Sequence, residues 1–234
     1  MFETFGEAAL GRAASADALW LLFSNTKVLT ASSIWALVED GKLSFFDRVA
    51  DHLPEFAQHG KSEITIAQLV SHRAGFPNAN CTSAAWTDAA EMRRQVCNFT
   101  LEWTPGTRLQ YHPRSAFYQM LVNGGRLNGA RIFSKHLIEF VTRNHTGDMH
   151  DYGMDMPMHR GLGVHVRGDT VRIRGLGGIG SPRTFGHGGV GSSYCWADPD
   201  SGVSFAYITN SRVPDPWHSV RLDRVANIVH SAIE

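Results

Sequence analysis

The chain has 234 residues, 43% of them hydrophobic and 19% charged, and its 22 basic and 22 acidic side chains give a formal net charge of zero. That length suffices for one sizeable core, or for one domain with an inserted lobe, and the composition excludes a disordered or fibrous chain. The absence of a basic block excludes electrostatic capture of nucleic acid or of an acidic membrane surface; it leaves a neutral or mixed small-molecule substrate, and is compatible with self-association.

Residues 3–12 are short, mixed and glycine-containing, which predicts a strand or hairpin arm. The first ten residues carry Glu3 and Glu7 and no basic stretch, unlike a secretory leader. No apolar run is long enough to span a bilayer, so a cytoplasmic protein is expected. Residues 18–23 are apolar and run directly into Ser24. Residues 27–40 then read as a helix, with Leu29, Ser33, Ala36 and Leu37 at helical spacing and Gly41 as its cap. A second helix is expected over 65–72, with Ile66, Leu69 and Val70 on one face and Gly75-Phe76-Pro77 ending it.

Pro105-Gly106 marks a turn before residues 109–112. Residues 117–122 and 136–143 read as further helices, separated by Asn123-Gly124-Gly125 and a short Ile132-Phe133 segment. Residues 144–161 lack periodicity and are rich in Met, His and Asp, which predicts a long surface loop at the rim of a site. Strands are expected over 162–166, 171–174, 192–197 and 203–209, and an amphipathic helix over 222–233. The order predicts an α/β (α+β) fold in one domain: residues 1–50 with 150–234 as the α/β part, and 51–149 as a helical lobe.

Cys81, Cys97 and Cys195 are odd in number and irregularly spaced, which argues against a disulfide framework, and no Cys-x-x-Cys pair suggests zinc. His145, His150 and His159 alternate irregularly with Met154, Met156 and Met158. They show no metal-ligand spacing, so neither a metal nor another cofactor is expected.

Ser24-Asn25-Thr26-Lys27 places a hydroxyl and an amine one helical turn apart. A serine is a weak nucleophile until a base takes its proton, and a lysine serves as that base only when burial or a neighbouring cation lowers its pKa. Taken alone, the spacing is weak and reads first as a serine cap and a solvated lysine. Two further features give it weight: Tyr111-His112-Pro113 after the Pro105-Gly106 turn, and Phe185-Gly186-His187-Gly188-Gly189-Val190-Gly191 before a strand.

These three elements, in this order, resemble the serine β-lactamase and penicillin-binding-protein superfamily, most closely its class C β-lactamase and family VIII carboxylesterase branch. The resemblance implies an antiparallel sheet flanked by helices. It implies Ser24 as the acylated nucleophile, Lys27 as its base partner and Tyr111 as a second proton carrier. His187, Gly188 and Gly189 would line the site, and the backbone N–H groups of Ser24 and Val190 would hold the oxyanion. The family's third motif usually has Thr where this chain has Gly188. Its absence removes a hydroxyl that helps grip a β-lactam carboxylate, with Arg183 the nearby alternative charge, and favours simple esters.

Two spacings depart from the family. Only 23 residues precede Ser24, and Tyr111 and Tyr118 are seven apart. A shortened helical lobe is therefore expected, with a sheet edge that a partner subunit could cover. Three functions follow: an esterase working through an acyl-enzyme on Ser24; the same chemistry on β-lactams or D-alanyl-D-alanine peptides, and so on an ester or amide substrate in either case; or a binding protein that kept the fold without the activity.

Overall fold

The computed structural model describes residues 3–111, 133–169 and 175–233. The expected helix over 117–122, the Asn123-Gly124-Gly125 turn, Ile132, the strand over 171–174 and the pair His112-Pro113 lie outside them. The chain forms two compact units, Met1–Thr26 with Arg167–Glu234, and Lys27–Val166.

In the first unit a short hairpin pairs β1 (Glu7–Ala9) with β2 (Arg12–Ala13). Its larger sheet is an antiparallel meander. Phe185–Gly189 pairs with Ser193–Asp198, and Ser193–Asp198 pairs with Val203–Ile208. The C-terminal helix Trp217–Ser231 covers one face. Leu222 and Ala226 from that helix join Tyr194, Trp196 and Leu176 in a buried core, with Val203, Phe205, Tyr207 and Val229 packed around it. The alternation along Ser193–Asp198 explains the choice: Tyr194 and Trp196 share the helix-facing side, as a period of two requires.

The second unit begins with helix α1 (Thr26–Glu39). Its inward stripe is Lys27, Thr30, Ala31, Ile34 and Trp35. Leu29, on the stripe expected from the sequence, is 57% exposed. The apolar side chains lie nearly all round this helix, so periodicity alone could not choose its face. The packing chose it, and in doing so turned Lys27 inward. Trp35 fixes the choice by donating its indole N–H to the Leu162 carbonyl (2.9 Å). The helix ends where Gly41 N–H reaches the Val38 carbonyl (3.0 Å).

Helix α2 (Val49–His52) leads to α3 (Ile66–Val70), which starts with a complete capping box between Thr65 and Gln68. Helix α4 (Ala89–Cys97), absent from the sequence reading, is capped by the Asp88 side chain on Ala90 and Glu91 N–H. Helix α5 is Lys135–Val141. Phe45 stacks on Phe140, and Phe56 on Phe76, each with centroids 5.6 Å apart.

Residues 144–161 are not the surface loop that their lack of periodicity suggested. Thr146, Asp151, Met158, His159 and Arg160 are all buried. The segment folds back through the short pair His150–Asp151 with Met156–Pro157, and Thr146 Oγ1 bridges the Met158 carbonyl and the Arg160 N–H. Buried backbone must be paired, and here two-residue strands and a threonine do it without a repeating pattern.

Candidate active site

The two units carry different parts of the predicted site. In the first, Ser24 is buried in a single 3₁₀ turn, Phe23–Asn25, directly before α1. Phe23 takes φ 50°, a left-handed conformation that costs a bulky side chain of order 1–3 kcal/mol. Asn25 secures the turn. With its amide oriented to satisfy its neighbours, it donates to the His187 carbonyl (2.5 Å) and accepts from the Ser193 hydroxyl (2.8 Å) and the Gly189 N–H (3.3 Å). A side chain thus fastens the serine turn to strand Phe185–Gly189, which carries the third motif.

On that strand His187 is 2% exposed, and its Nδ1 faces the Gly188 carbonyl at 2.8 Å, so Nδ1 is the donor. Gly188 pairs with Tyr194 across the sheet. A Cβ at Gly188 would lie 2.8 Å from the Tyr194 ring, and one at Gly189 would meet the Ser193 hydroxyl and lie 2.6 Å from the Leu22 carbonyl. A side chain at Gly188 would therefore meet the buried Tyr194 ring. Val190 follows the strand in a turn and is 41% exposed. That turn is braced by the Gly191 carbonyl, which accepts from Val213 N–H (3.0 Å) and from the Arg221 guanidinium (3.0 Å). Cys195, opposite His187, has its thiol pKa raised by burial, which keeps it protonated.

In the second unit Lys27 is 7% exposed, and its Nζ lies 5.2 Å from the centroid of the Tyr111 ring. Burial, and after it the Arg160 charge, together lower the Lys27 pKa to about 8. Tyr111 is placed by its backbone: Asp151 Oδ1 accepts from Tyr111 N–H (2.8 Å) and from Gly153 N–H (2.9 Å). The other oxygen, Asp151 Oδ2, accepts from Arg160 Nε (3.1 Å) and from its Nη2. The Arg160 guanidinium in turn lies 4.9 Å from the Tyr111 centroid. Two imidazoles also lie beside the ring, His72 at 4.9 Å and His165 at 6.2 Å between centroids.

Lys27 and Tyr111 are marked by their motifs in the sequence, whereas Asn25, Asp151 and Arg160 are not. Asn25 lies inside the serine–lysine spacing itself, where only its hydrogen bonds distinguish it from a spacer. His72, outside every motif named above, packs against Tyr111. Arg183 is exposed and paired with Asp200 (2.8 Å). His159 pairs with Asp148 (2.7 Å), and His145 meets the Phe140 carbonyl (2.8 Å). Among the described residues no three His, Cys, Asp or Glu side chains converge to hold a metal ion, and no helix is long and apolar enough to cross a membrane.

The family model described as Beta-lactamase matches residues 2–116 and 115–230. The chain belongs to the beta-lactamase family. The esterase/beta-lactamase LipL of Mycobacterium tuberculosis (strain ATCC 25618 / H37Rv) is 33% identical over 93 residues, which are 40% of this chain and 20% of that protein. This beta-lactamase family chain therefore spans about a fifth of the length of that curated relative. A penicillin-binding protein homologue from Caulobacter crescentus superposes with a TM-score of 0.78 at 22% identity, covering 97% of this chain and 87% of the other. A family VIII carboxylesterase superposes at 0.76 with 22% identity, covering 94% and 86%. Both show the β-lactamase-like fold, with helices and an antiparallel sheet, as the sequence resemblance implied.

Proposed function

We propose that this beta-lactamase family chain is a serine hydrolase that cleaves carboxylic esters through an acyl-enzyme on Ser24. The observation that carries the proposal is the state of Lys27: buried against Tyr111, with a pKa of about 8, it offers a substantial neutral fraction near neutral pH. A solvated lysine, with a pKa near 10.4, would offer almost none. The proposed base is joined to the proposed nucleophile by two residues of chain, Asn25 and Thr26.

In this reaction the Ser24 oxygen attacks the ester carbonyl carbon while its proton passes to the Lys27–Tyr111 pair. The tetrahedral oxyanion accepts from the Ser24 and Val190 N–H groups. The alkoxide leaves with the stored proton; water then attacks the acyl carbon and gives its proton to the same pair, which returns it to the Ser24 oxygen as the bond to the acyl carbon breaks and the acid is released. The strained Phe23 backbone and the Asn25 tether support a fixed role for the serine turn.

Esters are favoured over β-lactams by the Gly188 position, where the Tyr194 ring leaves no room for a threonine hydroxyl. The second reading, β-lactam or D-alanyl-D-alanine peptide hydrolysis by the same residues, is favoured by the names of its relatives, an esterase/beta-lactamase and a penicillin-binding protein homologue. Parallel assays with p-nitrophenyl butyrate and nitrocefin separate the two. A fluorophosphonate adduct mapped to Ser24 by mass spectrometry, lost in Ser24→Ala, tests the nucleophile. Ester hydrolysis unchanged in Ser24→Ala would sink the proposal and leave a binding protein with the family fold.

A further inference from the structure

Arg160 and Asp151 form an ion pair that no solvent reaches, with exposures of 1% and 0%. Such a pair is costly to bury, since each ion loses several kcal/mol of hydration, and a well-packed apolar pair of similar volume is often no less stable. Its place in this fold is specific. One carboxylate oxygen holds the Tyr111 N–H, the other holds the guanidinium, and the guanidinium lies against the Tyr111 ring. The Lys27 amine approaches the same ring, so two cations lie within 5.2 Å of one aromatic centroid. One anion, Asp151, bonds to the guanidinium. Both cations gain from the ring's electron-rich face, but each opposes the other's charge.

We infer that Arg160, held by Asp151, is a positioning residue that fixes the Tyr111 ring and biases Lys27 toward the neutral amine. An arginine suits this task where a lysine would not fully replace it. The guanidinium stays charged at every accessible pH, and its planar fork can bind the carboxylate and lie against the ring at once. Burial alone already lowers the Lys27 pKa, and Arg160 adds a fixed positive charge acting in the same direction. The inference rests on the hydrolase reading and deepens it, by assigning control of the base to a pair that no local spacing marks.

Among the described residues, the groups that face the Lys27–Tyr111 pair include Arg160, Asp151, His72 and His165. An inflection passed on from either imidazole is recognised because it appears at the same pH in that histidine's own ring resonances.

The test follows Lys27 directly. The chain has four lysines, Lys27, Lys42, Lys61 and Lys135, so ¹³C,¹⁵N-lysine labelling gives few side-chain resonances to assign. The Lys27 Cε resonance is titrated in the full chain, alongside kcat/KM for p-nitrophenyl butyrate. Arg160→Gln alone strands a buried carboxylate and risks unfolding, so the main variant is Arg160→Gln with Asp151→Asn, a neutral hydrogen-bonding pair. Its Lys27 midpoint, and the lower limb of its pH–rate profile, are expected to move upward together by roughly one pH unit. Arg160→Lys keeps a charge in place and is expected to leave the midpoint near that of the wild type while lowering kcat through the displaced Tyr111. A merely structural pair would lower thermal stability and leave both midpoints where they were; that result overturns the inference. A Lys27 midpoint that moves as expected in a protein without Ser24-dependent ester hydrolysis keeps the electrostatic assignment and overturns only the hydrolase reading.

Discussion

Gly188 and Gly189 leave room for neighbouring atoms to approach, whereas Lys27, Asp151 and Arg160 fill their space with charge. In the first unit the Ser24 turn and the third-motif strand meet through Asn25, Gly189 and Ser193, and any Cβ on either glycine would collide with a neighbour. In the second unit the Tyr111 surround depends on long side chains with fixed charge. The difference teaches where each part is vulnerable. A backbone donor is lost only by moving the chain, so the strand is sensitive to volume. A lysine proposed as a base is lost by changing its proton affinity, so the Tyr111 surround is sensitive to charge.

The largest expected effects separate chemistry from scaffold. Ser24→Ala should lower kcat for p-nitrophenyl butyrate by at least about 10³-fold with the fold intact by circular dichroism. Lys27→Met should lower it by about 10²–10⁴-fold. In the wild-type chain the rate should rise with pH through about 8, because a Lys27 base would work as the neutral amine and its protonated form dominates below that value. The lysine variant should lose that limb.

The buried charges around Tyr111 also make a stability prediction. Lys27 has a folded pKa below its unfolded value, so between about 8 and 10.5 the unfolded chain binds more protons, and stability rises with pH across that window. The penalty is present in full below about 8 and gone above about 10.5. It amounts to about 3 kcal/mol at most. Urea unfolding at pH 7.5 and 10 should show the rise in the wild type, on top of whatever other groups contribute, and a smaller rise in Lys27→Met.

The strand makes the volume predictions. Gly188→Thr should destabilise by roughly 1–3 kcal/mol through its collision with Tyr194, and Tyr194→Leu in the same chain should recover part of that loss. A Gly188→Thr chain as stable as the wild type would show that Tyr194 is not what excludes the threonine. Asn25→Ala should cost about 1–3 kcal/mol by leaving buried backbone groups unpaired, and should depress ester hydrolysis beyond its effect on stability if the tether positions Ser24.

Much of the first unit was legible in the sequence because its signals are local. Alternation along Ser193–Asp198 and Val203–Ile208 and the spacing of Leu222 and Ala226 each report burial on one face. Helix α4 shows the same principle missed: Asp88 followed by Glu91 is a cap that can be read, on a helix with only a few apolar positions. The second unit was harder. Residues 144–161 have no period, since their buried groups are satisfied by a threonine, two-residue strands and an ion pair rather than by a repeating ladder.

By itself the sequence determined the family, the positions of Ser24, Lys27 and Tyr111 along the chain, and the mixed helix-and-sheet architecture, because short spacings and periodic burial are written within a few residues of one another. Only the tertiary structure decided which face of α1 is buried, and so that Lys27 lies against Tyr111 rather than in water. It also decided that Asp151 and Arg160 surround the same ring. Those outcomes depend on residues 84 or more positions apart along the chain from Lys27, and a proton affinity is set by whatever the fold brings near, which no local pattern records.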